Sequence, residues 1–278
     1  MKDVWVSGAD GLLGTALRKQ GYRGFSKKEL DITDRGRLFS TLKQGKPRVF
    51  INAAAQARVD LAEQEKERTF AVNTYAVAFL AEICASLSIR LIHISTDYVL
   101  DDPDREVLSE QLTPNPRSTY AVSKWKGEEA ALAYDAVVLR VQWLYGCGRK
   151  SFFATALRRL HRRQPLVLVR DQIGSPTPVD WVSKGIGAAL TGNTGLYHLA
   201  CSGAVSAEDW IVSAAKRLNI APEYETMTRA ELSAVYRPSR SCLGSDLFSQ
   251  TFAYPPLSWS AAMERCLEQA GTRWLDRN

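Results

Sequence analysis

Residues 4–14 of this chain read VWVSGADGLLG, an apolar run that ends in a turn containing three glycines. Beyond the turn, apolar residues continue at helical spacing from Leu12. A strand, a tight turn and a helix in this order open a βαβ unit, in which backbone N–H groups and the helix N-terminus can approach a pyrophosphate. The stretch therefore predicts a dinucleotide site at Gly8, Gly11 and Leu12, with Gly14 allowing the helix to pack closely on the strand.

The alternation of strand and helix continues through the first half of the chain, with further apolar runs at residues 22–25, 49–51, 91–94 and 136–141. This regular pattern predicts an α/β fold over residues 1–146, a doubly wound, Rossmann-like parallel sheet covered by helices on both faces. The alternation then loosens. Residues 147–278 are predicted to form mainly a smaller C-terminal substrate lobe, with strands at 166–169 and 196–199 and helices at 179–190, 207–218 and 258–269, although some segments return to the first domain.

The composition of the 278 residues is globular, with 45% hydrophobic residues and a net charge of +6. No apolar run reaches the ~18–20 residues of a membrane span and no signal peptide precedes the first strand, so we expect a cytoplasmic protein without membrane association. The basic residues lack interleaved aromatics, and we predict an anionic small molecule as partner, not nucleic acid. We predict no metal site, and we interpret the odd, scattered set of cysteines as buried, reduced thiols: Cys84, Cys147, Cys201, Cys242 and Cys266.

The loop after the second strand is basic. An NAD site usually places a carboxylate there, which accepts from the ribose 2′-hydroxyl. This chain has Arg23, Ser26, Lys27 and Lys28 instead. Their charge suits a 2′-phosphate, so we predict NADPH as the cofactor, with NADH as the other option and a merely solvated loop as the alternative. The predicted cofactor contacts beyond this loop are Asp31, Ile32, Ala54, Ala55, Gln56 and Asn73.

Tyr120 and Lys124 lie four residues apart in a segment that is predicted to be helical, so both side chains should share one face. A phenol donates a proton poorly at neutral pH unless a neighbouring cation lowers its pKa, and we expect the Lys124 ammonium to lie beside the phenol. An ordinary exposed pair is the alternative. Thr96 adds a hydroxyl at the carboxyl end of the fourth strand, whereas His93 inside that strand is interpreted as a packing residue.

Eight stretches occur in the order seen in dTDP-4-dehydrorhamnose reductases: GADGLLG, NAAAQARVDLAE, ISTDYVL, YAVSKWKGE, WLYG, DQIGSPT, GLYHLA and RPSRSCL. The chain resembles this family of extended short-chain dehydrogenases over nearly its whole length. The resemblance implies that Thr96, Tyr120 and Lys124 are catalytic, that Tyr120 and Lys124 also contact the cofactor, and that Asp97, Trp143 and Thr96 contact the sugar.

The implied reaction is the reduction of a dTDP-linked 4-keto-6-deoxy sugar, with the hydride coming from NADPH and the proton from Tyr120. Arg237 and Arg240 are expected to bind the diphosphate, and the family resemblance also suggests a homodimer. This chain departs from the family near the sugar pocket, at Gln142 and Gly244 among others. Two alternatives remain: a non-catalytic, dinucleotide-binding regulatory subunit, and a sugar-nucleotide epimerase or dehydratase of the same superfamily.

Overall fold

The computed structural model describes residues 3–147 and 151–276. Its helices are α1 Leu12–Lys19, α2 Arg35–Gly45, α3 Val59–Gln64, α4 Lys66–Phe70, α5 Ala76–Ser86, α6 Thr119–Leu132, α7 Phe152–His161, α8 Val179–Ala188, α9 Ala207–Arg217, α10 Arg229–Leu232, α11 Asp246–Phe252 and α12 Trp259–Ala270. A π-helical turn, Ala71–Tyr75, joins α4 to α5. Its strands are β1 Val4–Ser7, β2 Arg23–Phe25, β3 Val49–Asn52, β4 Arg90–Thr96, β5 Val137–Val141, β6 Leu144–Tyr145, β7 Val167–Val169, β8 Ile173–Gly174, β9 Thr177–Pro178, β10 Gly195–His198, β11 Val205–Ser206 and β12 Glu225–Met227.

Six strands form one parallel sheet in the order β10-β5-β4-β3-β1-β2. β1 and β3 are buried along their whole length because helices cover both faces, α1 and α8 on one and α2 and α5 on the other. The predicted doubly wound α/β fold is confirmed. The strand order reverses between β1 and β3, and ligands of such sheets bind in the crevice at the carboxyl ends of the strands on either side of that reversal.

Two segments that the sequence assigned to the substrate lobe belong to this sheet instead. β10 pairs in parallel with β5, with Gly195 opposite Val137. α8 packs on α1, and Gln20 Nε2 donates to Ser183 Oγ at 3.2 Å. The sequence predicted that some segments return to the first domain but did not identify these two, because the composition of a short strand does not reveal which sheet edge it joins.

The remaining C-terminal elements pack around aromatic side chains. Phe153 of α7 stacks on Trp210 of α9 with ring centroids 4.9 Å apart, and Tyr145 of β6 meets Trp210 edge-on at 5.0 Å. Residues of α12 close the same cluster. This second core is separate from the two clusters that cover the sheet, so the elements that pack around it form a lobe with its own interior.

The structure corrects the interpretation of the cysteines. Cys147, which follows β6, forms a disulfide with Cys266 of α12. The other three cysteines are buried and free, as expected for reduced thiols. The paired cysteines are 119 residues apart in sequence, so only the packing of α12 beside β6 brings them together.

The helical segment Lys66–Ser86 is long and apolar enough to span a membrane by length and composition. In the fold its inner face is packed into the core beside the sheet, where Val77, Leu80 and Cys84 are almost fully buried. A core helix of a soluble α/β domain meets the same criteria. Its apolar character is therefore explained by its contact with the sheet.

Candidate active site

In the glycine turn after β1, the backbone comes very close to the turn after β3 and to helix α1. Gly8 has a φ of +68°, and a Cβ atom on it would lie 2.7 Å from the backbone N of Ala54. A Cβ atom on Gly14 would lie 2.1 Å from the carbonyl O of Gly8. Neither position can accept a side chain without moving the backbone, so these two glycines bring α1 and the turn after β3 against the end of β1.

A cavity of about 320 Å³ opens at this turn. Seven of the predicted cofactor residues line it: Gly8, Gly11, Asp31, Ile32, Ala54, Ala55 and Gln56. Arg68 of α4 and Lys27 also line it. No spacing in the sequence pointed to Arg68, because α4 reaches the cavity only through the fold.

Three other predicted cofactor residues lie behind the cavity wall. Gly14 is buried in α1, and Leu12 packs against the core beneath the sheet. Asn73 accepts from the backbone N of Gln56 at 2.9 Å and donates to Ser123 Oγ at 3.0 Å. Asn73 therefore ties the turn after β3 to helix α6.

The basic loop is arranged differently from the expectation. Arg23 lies over the rings of Trp5 and Phe25, at 4.7 and 5.0 Å from their centroids, and does not line the cavity. Side chains two residues apart on a strand share a face, which places Arg23 beside Phe25. The N–H and hydroxyl of Ser26 both donate to Glu29, at 2.8 and 2.7 Å. Of the predicted phosphate ligands, only Lys27 lines the cavity.

Helix α6 presents Tyr120 and Lys124 to the carboxyl end of β4. Ser118 caps the helix by accepting from the backbone N of Ala121 at 3.2 Å. The N–H and hydroxyl of Thr119 donate to the Glu63 carboxylate, both at 2.6 Å. These bonds fix the first turn, and therefore the direction of the two side chains that follow it.

The phenol of Tyr120 is held between β4 and its own helix. The phenol lies beside the Thr96 hydroxyl, and Tyr98 packs edge-on against its ring with centroids 5.7 Å apart. Burial raises the pKa of Tyr120, and the nearby Asp97 carboxylate raises it further. The phenol is thus protonated at neutral pH and directed at the Thr96 hydroxyl.

Lys124 is buried, and its amine binds to β4. Its Nζ donates to the carbonyl O of Ile94 at 2.6 Å and lies 3.4 Å from Nε2 of His93. Burial lowers the pKa of Lys124 to about 8. The expectation that this ammonium lowers the pKa of Tyr120 stays a prediction, and that pKa is shifted here by burial, Thr96, Asp97 and Tyr98. His93 is buried as predicted but also contacts this amine.

Asp97 lies beside Thr96, whose hydroxyl donates to its Oδ1 at 3.1 Å. Burial raises the pKa of Asp97 to about 6. Gln142, a departure from the family pattern, donates to Asp97 Oδ2 at 3.4 Å and to Ser241 Oγ at 2.8 Å. Sequence reasoning did not identify this amide as the link between the site and residue 241 of the C-terminal part.

Trp143 lines a second, mostly apolar cavity of about 310 Å³ in the C-terminal lobe. Phe152, Trp210 and Leu232 are among its other walls. Arg237 donates to Asp60 Oδ2 at 2.7 Å, whereas Arg240 lines a different cavity. The structure therefore does not bring these two arginines to one cavity. No cluster of His, Cys, Asp and Glu suited to a metal ion occurs within residues 3–147 and 151–276.

Comparison with known proteins gives consistent results. The family model described as RmlD substrate binding domain matches residues 1–272. A dTDP-4-dehydrorhamnose reductase from Aggregatibacter actinomycetemcomitans is 31% identical over 95% of this chain and 98% of its own length. A dTDP-4-keto-6-deoxy-D-glucose reductase from Streptomyces niveus is 29% identical over 95% and 96%. The crystal structure of a Bacillus anthracis dTDP-4-dehydrorhamnose reductase in complex with NADP superposes with a TM-score of 0.91 at 28% identity, covering 97% of this chain and 100% of that one. The chain therefore belongs to the RmlD substrate binding domain family, which confirms the resemblance drawn from its motifs.

Proposed function

We propose that this protein is an NADPH-dependent reductase of a dTDP-linked 4-keto-6-deoxy sugar, acting on dTDP-4-dehydrorhamnose or a close relative. The observation that carries the proposal is a pair of buried hydroxyls, one on Thr96 at the end of β4 and one on Tyr120 of α6. Lys124 lies on the same face of α6 as Tyr120. The names of the similar reductases and the NADP complex of the Bacillus anthracis protein support the choice of substrate and cofactor.

The cofactor fits the cavity at the glycine turn. A Cβ atom at Gly8 or Gly14 would meet backbone within 2.7 Å, as expected where backbone must approach a pyrophosphate closely. The cavity follows β1 and β3, and Thr96 ends β4. Because the carboxyl ends of parallel strands share one edge of the sheet, a dinucleotide bound at the turn can extend toward Tyr120.

Each catalytic side chain has a separate task. NADPH supplies the hydride when it is bound. Tyr120 donates its proton to the developing alkoxide, and the Thr96 hydroxyl, which donates to Asp97 in this structure, turns to donate a hydrogen bond to the same oxygen. Lys124 holds the nicotinamide ribose. Asp97 and Gln142 form the wall beside Thr96 and orient its hydroxyl.

The aromatic cavity suits a nucleoside base. Planar rings bind well between aromatic side chains with a few polar groups at the rim. Trp143 and Trp210 supply aromatic walls, and Gln172 supplies an amide. Phe152 and Leu232 at this cavity are unusually exposed for large apolar residues, at 53% and 45%, which is expected of a surface that a ligand covers.

The test is to incubate the purified protein with NADPH and a panel of dTDP-4-keto sugars. Product formation and NADPH oxidation in equal amounts support the reductase. NADP binding without turnover of any sugar would instead support the regulatory subunit, and loss of water from a dTDP-hexose would support a dehydratase. A homodimer and a cytoplasmic location stay predictions, and light scattering of the purified protein tests the former.

Lys27 is expected to contribute to the choice of NADPH because it lines the cavity, where it lies 3.5 Å from Asp31 Oδ2. Lys27→Ala should raise the KM for NADPH about two- to tenfold and leave the KM for NADH nearly unchanged. Arg23→Ala is the matched control, since Arg23 is bound to aromatic rings outside the cavity. Equal effects of Lys27→Ala on both cofactors would contradict the assignment.

Arg237 is predicted to bind the substrate's diphosphate. Burial raises the pKa of Tyr98, which packs on Tyr120, and the charge of Arg237 opposes that rise. Arg237 also pairs with Asp60, and this ion pair could be its whole role. We expect Arg237→Ala to weaken dTDP binding about ten- to a hundredfold.

Asp60→Ala separates the two roles of Arg237, because it removes the ion pair and leaves the guanidinium. If Arg237 binds phosphate, Asp60→Ala keeps or improves dTDP affinity while both variants lower the melting temperature. Calorimetric titration of dTDP and thermal melting of each variant give the answer. Normal dTDP affinity in Arg237→Ala would assign this arginine to the fold alone.

A further inference from the structure

His93 connects the cofactor turn to the catalytic helix. It lies inside β4 and is completely buried. Its Nδ1 is 3.1 Å from Nδ2 of Asn52 at the end of β3, and its Nε2 is 3.4 Å from Nζ of Lys124. None of the roles assigned above uses this ring.

The neighbours of Asn52 determine which His93 nitrogen carries the proton. Asn52 Oδ1 accepts from Ser7 Oγ at 2.7 Å and from the backbone N of Ala54 at 3.3 Å. A backbone N–H can only donate, so the amide oxygen must face Ala54 and the NH₂ group must face His93. That NH₂ group also only donates. Nδ1 of His93 therefore accepts, and in a neutral ring the single proton lies on Nε2.

His93 is neutral under ordinary conditions. Burial places its pKa well below the usual value, and the charge of Lys124 lowers the pKa further. The Nε2–H group is therefore directed at the Lys124 amine. A neutral amine can accept this hydrogen bond, whereas an ammonium has no lone pair and opposes it.

Few other charges act on Lys124. Glu128, one turn further along α6, raises its pKa. Glu128 is itself bound to Arg140 of β5, with 2.6 Å between its Oε2 and Arg140 Nη2. From β4, His93 and the carbonyl O of Ile94 face the amine. Among these, the His93 ring is the neighbour that can donate to a neutral amine and that opposes the ammonium.

We propose that His93 is a positioning residue for Lys124: held by Asn52 with its proton on Nε2, it donates to the neutral form of the Lys124 amine, opposes the ammonium form, and so shifts the balance between the two. The geometry stands independently of the substrate. Only the expected effect on catalysis rests on the proposed function, because that effect requires that Lys124 is active in its protonated form. The pKa of about 8 for Lys124 is consistent with this arrangement.

The proton position can be read directly from ring ¹⁵N NMR of the unsubstituted protein without any ligand. The chain has three histidines, and each should behave differently. His93 should carry its proton on Nε2 and remain neutral between about pH 6 and 9. His198 should carry it on Nδ1, because its Nε2 faces Arg140 at 3.4 Å. His161 is exposed and lies 3.1 Å from Asp276 Oδ1, and His161→Asn and His198→Asn assign the signals. A His93 proton on Nδ1, or titration of this ring, overturns the proposal.

The pH profile tests the effect on Lys124. His93→Asn keeps an amide near the Nδ1 position for Asn52 and removes the donor to Nζ. The neutral amine loses a hydrogen bond, so its pKa rises. Activity that needs the protonated amine is lost as pH rises through that pKa, so the alkaline limb of kcat/KM should move upward by about half to one pH unit.

His198→Asn is the matched control, since it also removes a buried strand histidine but one that faces Arg140. It should leave the alkaline limb in place, which separates the specific effect from general loss of stability. NADPH affinity measured without sugar should fall with rising pH over the same range. The test therefore still works if the protein does not act on the proposed sugar. An unmoved or lowered limb in His93→Asn overturns the proposal.

Discussion

Tyr120→Phe is expected to lower the rate of hydride transfer by ~10²–10⁴-fold, because it removes the proton donor and keeps the ring. NADPH affinity should change little, since the ring still packs against Tyr98. The measurement is single-turnover NADPH oxidation together with an NADPH titration of the same variant.

Tyr98→Phe is the control for Tyr120→Phe. Tyr98 is partly buried beside Thr96, and desolvation raises its pKa to about 12, yet the proposed mechanism gives its hydroxyl no proton to transfer. Its loss should reduce turnover less than about tenfold. A Tyr120→Phe enzyme that retains turnover within about tenfold of the parent would show that the proton comes from another group.

Glu128→Ala is expected to lower the free energy of unfolding by about 3–5 kcal/mol. Glu128 of α6 and Arg140 of β5 are 2% and 1% exposed, and Arg140 Nε and Nη2 donate to the carboxylate at 2.9 and 2.6 Å. Removing the carboxylate leaves the guanidinium buried without its counter-charge, which costs more than the pair itself contributes. Urea unfolding gives the difference in free energy.

Glu129→Ala on the same helix is the matched control for Glu128→Ala. Glu129 pairs with Lys126 at 2.8 Å, but both side chains are about half exposed, and such pairs contribute about 0.2–1 kcal/mol. A loss below about 1 kcal/mol in Glu128→Ala would mean that water reaches Arg140. Because α6 also carries Tyr120 and Lys124, we expect the Glu128 variant to lose activity at temperatures where Glu129→Ala remains active.

The features that sequence predicted correctly are local ones. The sequence of residues 4–14 is enough to predict a strand, a glycine turn and the start of a helix. The cavity lies at this predicted turn. Tyr120 and Lys124 are both buried on α6, as four-residue spacing requires. Regular alternation predicted the parallel sheet because each βαβ unit has one favoured handedness. In each of these cases the local conformation depends mainly on residues that are close in sequence.

Other features depend on residues far apart in the chain. The contact of His93 with Lys124 spans 31 residues, and the pairing of Cys147 with Cys266 spans 119. Arg23 was expected at a phosphate and lies on Trp5 because two strands pair in one register. The motifs selected the groups that are proposed to react. The direction of the Lys124 amine, the pKa of Tyr120 and the place of β10 in the sheet were decided only by tertiary structure, because burial and hydrogen bonding depend on which distant segments are packed around each group.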